Sequence, residues 1–195
     1  YSFYLLFIMV IPILFETEYV LTLWLRNVPE YTVVFVQLSL IYMLCQSLSN
    51  TLFTAMLATG NIRNYQIVVG GLALMAFPLS YALFKMGFAP SYCYYISIFI
   101  SVSCLIARLV MLQRMIGLPM RIFLKDVVLR VLFVSILSLV IPCLIINLMP
   151  QGFVRLMVLS FVSLMTISIV ILYIGITKNE RVFLITYIKN KIHKK

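Results

Sequence analysis

The sequence predicts an all-α, polytopic membrane protein of six transmembrane helices, and three observations predict it. Of its 195 residues, 64% are hydrophobic and 10% charged, with a mean hydropathy of +1.14. A soluble domain carries about 25% charged residues, so the composition excludes a water-soluble fold. It excludes disorder too, since disordered chains are poor in apolar side chains. The apolar residues gather into six segments, 1–15, 32–57, 66–84, 92–112, 127–148 and 154–176, and the longest piece between or after them has 19 residues. None of these pieces can bury a core of its own, so any function sits among the helices or at their ends. The third observation is charge: fifteen Lys/Arg against five Asp/Glu give +10, unevenly placed along the chain.

Helices fit these segments better than barrel strands. A barrel strand alternates polar and apolar residues over about ten positions, whereas Ile136 to Leu148 and Phe161 to Ile176 are apolar on both parities. A helix also satisfies its own backbone groups in lipid. The first segment, opening Tyr1-Ser2-Phe3 with no Met and no basic start, has 15 residues, short of the roughly 20 a bilayer core requires. It lacks the charged start and small-residue cleavage site of a signal peptide. It reads as a helix entered partway, in the C-terminal portion of a longer polypeptide.

The second segment carries Ser39, Gln46, Asn50 and Thr54 at helical spacing, with Gln37, Ser47 and Thr51 beside them. The fourth repeats the pattern with Ser97, Ser101, Cys104 and Arg108. Amides are costly against lipid, so these faces should meet protein or water. Helix packing, where small and polar residues are common, and a solvated cavity wall both account for them. Arg108 falls about one turn from the expected helix end, from where it can snorkel. Gly70 and Gly71, with Ala73 and Ala76, thin one side of the third segment for close helix approach, and Pro12, Pro78 and Pro142 fall within spans, where they free carbonyls and bend helices.

Basic residues concentrate on the cytoplasmic side of membrane proteins. With the first segment running outward, the inner side holds Arg63, then Arg108, Arg114, Arg121, Lys125 and Arg130, then Lys178, Arg181, Lys189, Lys191, Lys194 and Lys195, twelve in all. The outer side holds only Arg26, Lys85 and Arg155, together with Glu16, Glu18 and Glu30. The charge therefore reads as orientation, with nucleic-acid binding a poor second. At the inner side, Gln113 to Asp126 mixes cations with Met115, Ile116, Leu118, Ile122 and Phe123, and reads as a short interfacial element broken by Gly117 and Pro119. Thr177-Lys178-Asn179-Glu180 fits a capping box opening a basic tail, 177–195. That tail reads either as an amphipathic helix on an anionic membrane face or as a segment that only fixes topology. On the outer side, Trp24, Pro29 and Tyr31 are explained by the interface and a helix start.

Catalytic signatures are sparse. His193 is the only histidine, which excludes a His-rich metal site and a Ser-His-Asp arrangement in the membrane. Cys45, Cys93, Cys104 and Cys143 form no CxxC pair and fall in spans, where a small soft residue is ordinary. No Gly-rich phosphate loop, no paired carboxylates and no acid deep in a span are evident. The expectation is a non-enzyme with neither cofactor nor metal.

Trp24-Leu25 with Pro29-Glu30-Tyr31, Ala58-Thr59-Gly60-Asn61-Ile62-Arg63-Asn64-Tyr65-Gln66, Phe77-Pro78-Leu79-Ser80-Tyr81 with Lys85-Met86-Gly87 and Pro90, and Gly175-Ile176-Thr177-Lys178-Asn179-Glu180-Arg181 follow one another in an order and spacing that covers nearly the whole chain. In this the sequence resembles bacterial polysaccharide biosynthesis flippases, the O-antigen and capsule repeat-unit translocases of the multidrug/oligosaccharidyl-lipid/polysaccharide exporter superfamily. The resemblance implies twelve helices in two lobes, with residues 1–176 the C-terminal six-helix lobe and 177–195 a basic cytoplasmic tail. It implies movement of an undecaprenyl-pyrophosphate-linked oligosaccharide between leaflets of the bacterial inner membrane by ion-coupled alternating access. The partners it implies are that lipid-linked substrate, membrane lipids, the N-terminal lobe of the same polypeptide and other polysaccharide assembly proteins. The substrate-pathway candidates are Arg108 for the pyrophosphate and Gln46, Asn50 and Ser101 for the sugars. A drug/cation antiporter of the superfamily, a membrane acyltransferase or polymerase, and a scaffold of the assembly machinery are the competing readings.

Overall fold

A computed structural model describes residues 2–25, 27–60, 62–117 and 119–175, and among these the fold is entirely helical. The helices are α1 (Ser2–Phe15), α2 (Thr17–Trp24), α3 (Thr32–Ala58), α4 (Ile62–Leu74), α5 (Ala76–Lys85), α6 (Tyr92–Ile116), α7 (Met120–Leu148) and α8 (Phe153–Gly175). Leu124–Leu129 within α7 and Ile171–Gly175 at the end of α8 are wound as wider π-helical turns. Five helices, counting α4 and α5 as one span, are long and apolar enough to cross a membrane, and a sixth crossing is available if α1 and α2, bent by 76°, count together. The chain is a multi-pass membrane protein by these lengths and hydropathies. The 27 residues of α3 extend about 40 Å, against a hydrocarbon core of about 30 Å.

Several boundaries differ from expectation, each for a local reason. The first segment does not run on smoothly. Pro12 cannot donate to the carbonyl one turn earlier, and the helix stops at Phe15. The carbonyls released there are taken up by side chains: Thr17 Oγ1 donates to Ile13 and Leu14 at 2.7 and 3.0 Å, and Gln37 Nε2 of α3 donates to Leu14 at 3.3 Å. Glu16, expected at an outer helix end, is instead 1% exposed at this break. The third segment starts earlier than expected, at Ile62, and is interrupted at Met75, three residues before Pro78, whose missing N–H leaves the Leu74 carbonyl without its helical donor. Pro142, by contrast, is buried inside an uninterrupted α7. Gly70 and Gly71 do not serve close approach, because a Cβ on either would meet nothing within 4 Å.

Over Gln113 to Asp126, where a short element broken by Gly117 and Pro119 is expected, the chain does break after Ile116. α6 continues to Ile116 and α7 starts at Met120, leaving a connection closed by Gly117. Gly117 adopts φ +68° and its N–H reaches the Gln113 carbonyl at 3.1 Å, a left-handed C-terminal cap. The capping box at Thr177 and the basic tail lie outside the described residues.

The chain forms two compact units, Tyr1–Arg121 and Ile122–Lys195. In the first, α3 and α6 form the principal interface; α1 and α2 pack on α3, and α4 and α5 on α6. The face of α6 with Tyr92, Tyr95, Phe99 and Ile106 is exposed. Rings of Phe88, Tyr92 and Tyr95 pack at tilted angles along one end of it, with centroids 4.9 and 5.7 Å apart, as suits an aromatic belt at a membrane surface.

In the second unit, α7 and α8 form a hairpin. Val131, Val134, Ser138 and Pro142 of α7 are buried, as are Leu159, Ser163, Ile167 and Ile171 of α8. The four-residue spacing on α8 makes one face, and the two serines permit close backbone approach. Arg155, expected as an outer-side cation, is 6% exposed; its Nη1 donates to the Met149 carbonyl at 3.1 Å and so caps the end of α7.

Candidate functional site

The two polar stripes are built on neighbouring helices but have opposite environments. On α6 the stripe turns into the bundle. Ser97 Oγ bonds back to the Cys93 carbonyl at 2.9 Å, and Cys104 Sγ lies 3.9 Å from the Val69 carbonyl of α4. Ser101 is 4% exposed, and its hydroxyl has no partner. It is therefore removed from any ligand path in this conformation.

Arg108 closes this stripe and ties three helices together. Its Nη1 donates to the Ser49 carbonyl of α3 at 3.2 Å and also to the Ser49 hydroxyl. Its Cζ stands 5.8 Å from the Phe53 ring centroid of α3 and 5.7 Å from that of Tyr65 in α4. The two rings approach each other at 6.0 Å, so the guanidinium has aromatic walls from two helices. Arg108 does not snorkel. Because α6 runs to Ile116, Arg108 lies about 12 Å from that end rather than one turn, and the head group is directed across the bundle.

The electrostatics of this cluster are unusual for a membrane interior. The sequence contains no Asp or Glu between Glu30 and Asp126, so α3 to α6 hold no carboxylate to neutralise Arg108. Cation–π contacts contribute about 0.5–2 kcal/mol each, whereas desolvating a charged side chain costs several kcal/mol. The rings alone do not offset that cost. The Arg108 Nε is buried and has no hydrogen-bond partner.

On α3 the stripe opens outward only toward its C-terminal end, since Gln37 reaches the Leu14 carbonyl of α1 and Ser47 is buried. Asn50, Thr51 and Thr54 are exposed and Gln46 is half-buried. Three hydroxyls are satisfied within the helix, Ser39 by the Val36 carbonyl at 2.9 Å, Thr51 by Leu48 at 3.1 Å and Thr54 by Thr51 at 2.8 Å, whereas the buried Ser47 hydroxyl has no partner. Gln46 Nε2 donates to the Tyr42 hydroxyl at 2.8 Å, fixing one amide on the edge of the face. Asn50 has no such partner among the described residues, and it lies about 12 Å inside the end of α3. An amide left unpaired against hydrocarbon costs about 2–7 kcal/mol, so this face requires water or polar groups beside it.

The four expected pathway residues therefore do not converge. Gln46 and Asn50 occupy the exposed face of α3, whereas Ser101 and Arg108 occupy the packed face of α6. Sequence reasoning missed Ser49, Phe53, Tyr65 and Tyr42. The i, i+4 spacings of Ser49 with Phe53 and of Tyr42 with Gln46 were legible signals. Nothing local links Tyr65 to Arg108. Among the described residues no group of His, Cys, Asp or Glu is placed to hold a metal ion. The cysteines are free, with Ser80 Oγ 3.7 Å from Cys93 Sγ between α5 and α6.

The described residues thus define a polytopic, all-α membrane protein. No family model matches the chain, and neither a curated protein nor a solved structure does.

Proposed function

We propose that the chain belongs to a translocator that moves undecaprenyl-pyrophosphate-linked oligosaccharide repeat units across a bacterial inner membrane for surface polysaccharide export, with its C-terminus in the cytoplasm. The observation that carries this reading is the exposed end of the α3 stripe, where the Asn50 amide, two turns inside the helix, has no partner among the described residues. Sugar hydroxyls both donate and accept hydrogen bonds, as do the amides of Gln46 and Asn50. Such a face suits an oligosaccharide passing through a hydrated cleft while its prenyl chain stays in the bilayer. The charge asymmetry of the sequence and its ordered resemblance to repeat-unit flippases support the same reading.

Transport of this kind makes and breaks no covalent bond, so no residue is assigned a catalytic role. The cleft would open alternately to the two sides as this lobe rocks against an N-terminal lobe of the same polypeptide, driven by an ion gradient. The test is genetic and chemical. Deleting the gene should abolish surface glycan and cause lipid-linked repeat units to accumulate. The wild-type gene should restore export, and Asn50→Leu should fail to do so at equal protein abundance. Normal surface glycan in the deletion strain would overturn the proposal. Drug sensitivity without glycan loss would assign the chain to the antiporter alternative. Loss of repeat-unit synthesis rather than export would assign it to an enzyme or scaffold.

A further inference from the structure

We propose that α4 is a hinged gate held against α3 by Arg108, and that its release admits water from the polar face of α3 to the guanidinium. The attachment of α4 is slight. It is 13 residues long, and only Tyr65 and Val69 along it are buried. The span it forms with α5 is the least buried of the five long candidate crossings. Each end is marked by a break. Ahead of it stands Gly60, in the left-handed region at φ +71° with open space around it. Behind it the helix is interrupted at Met75, where Pro78 leaves the Leu74 carbonyl without its helical donor. A few residues at the end of an element are enough to absorb a hinge motion, so α4 can swing without unwinding.

The contact that holds the gate is itself poorly balanced. Tyr65 of α4 closes one side of the Arg108 guanidinium and Phe53 of α3 another. Nη1 is satisfied by Ser49, but the buried Nε has no acceptor, and α3 to α6 contain no carboxylate. A charge enclosed without full pairing gains from hydration, so the cation that bridges the closed gate also favours opening it. Two arrangements compete: one with the Tyr65 ring against the guanidinium, and one with α4 displaced and water on Nε. The water has a route. Asn50 is exposed and lies three residues before Phe53 on the same side of α3, so a gap between Phe53 and Tyr65 joins the polar face directly. One turn beyond Tyr65, the Val69 carbonyl meets α6 through the Cys104 Sγ at 3.9 Å, a weak contact that resists little. The device follows from α3, α4 and α6 alone and stands whether or not the chain translocates oligosaccharide.

The experiment measures opening directly. Val69→Cys is placed in the full-length protein lacking its native cysteines and held in nanodiscs, and a membrane-impermeant thiol reagent is added to both faces. Tyr65→Leu removes the clamp but leaves the charge, and should raise the labelling rate by about fivefold, the shift in population expected on losing one cation–π contact. Phe53→Leu, a milder change at the more exposed ring, should raise it by about twofold. Arg108→Met removes the charge that draws water in, and should lower the rate below that of the unsubstituted reporter. Tyr65→Phe, which keeps the ring, should leave it unchanged. Opposite signs at Tyr65 and Arg108 distinguish a latch from loosened packing, which would raise the rate in both. Hydrogen exchange of the α4 amides, measured with the native cysteines in place, should follow the same order: faster than wild type in Tyr65→Leu and slower in Arg108→Met. Ser101→Cys, buried on α6, should stay unlabelled in every background. A rise with both substitutions, no change with either, or a parallel rise at Ser101→Cys would overturn the proposal. Helical content measured on every variant separates an opened gate from a lost fold, and Phe53→Leu carries the test if Tyr65→Leu does not fold.

Discussion

If the rings of Phe53 and Tyr65 hold the Arg108 guanidinium, then Arg108 and Tyr65 should be energetically coupled. The perturbations are Tyr65→Leu, which removes the ring but keeps an apolar side chain, and Arg108→Met, which removes the charge but keeps an unbranched stem. Both ring centroids lie just inside the 6 Å limit, at 5.7 and 5.8 Å, which argues for the lower part of the usual range. Tyr65 is 2% exposed, which argues for the upper part at that ring. The expected coupling between Arg108 and Tyr65 is about 1 kcal/mol, and about 0.5 kcal/mol for Arg108 with the more exposed Phe53. The assay is reversible unfolding in mixed micelles of the wild type, the two single variants and the double variant, read as a double-mutant cycle. Tyr65→Leu with Arg114→Gln provides a non-contacting control. A coupling for Tyr65 no larger than that control, within the roughly 0.3–0.5 kcal/mol scatter of independent sites, would refute the cage.

Three further outcomes follow from other parts of the molecule. Ser163, fully buried on the packed face of α8, should not accept a larger side chain: Ser163→Leu should destabilise by about 1–3 kcal/mol through overpacking, measured by thermal unfolding in detergent, whereas Phe161→Leu on the exposed face should be near neutral. Gly117→Ala should cost about 1 kcal/mol, because φ is +68° and the space around it is open, and Gly117→Asn should cost less, since Asn tolerates the left-handed region. Single cysteines placed at Asn50 and Thr54 in a variant lacking the native cysteines should react with a membrane-impermeant thiol reagent, while one at Ser101 should not. Equal reactivity at all three would remove the distinction between the two stripes.

The helical architecture was legible because lipid imposes one requirement on every span. Backbone groups must be satisfied internally, so a long apolar run in this composition reads as a helix. What the runs concealed were the ends and the interruptions. Segments drawn by hydropathy stopped at the first polar cluster, yet Gln113 and Arg114 continue α6, and Ile62 to Tyr65 belong to α4. The break at Glu16 was announced by Pro12 only in part, since it depends on Thr17 and on Gln37 from another helix to satisfy the released carbonyls. Pro78 and Pro142 show the same limit from the other side. One coincides with an interruption and the other does not, although both are prolines in apolar runs, because the outcome depends on packing that sequence spacing does not encode.

The two polar stripes make the point for function. Their residue types and their three- and four-residue spacings are alike, so periodicity alone could not separate packing from a cavity wall. Neighbours separate them. α6 is flanked by α3 and by α4 with α5, which encloses Ser101, Cys104 and Arg108. Within the unit Tyr1–Arg121, the side of α3 bearing Asn50, Thr51 and Thr54 is exposed, with no described helix of that unit laid over it. Polar groups on an enclosed face can be satisfied by the bundle, and most of those on α6 are, leaving the Ser101 hydroxyl and the Arg108 Nε as the exceptions. Polar groups on an open face within a bilayer have no such recourse, and the amide of Asn50 requires an aqueous or polar neighbour. In the proposed translocator the open stripe would face the passing hydrophilic group, whereas the enclosed one holds Arg108 between two rings. Variants at Asn50 should therefore fail in glycan export, whereas variants at Arg108 should show their effect in unfolding assays.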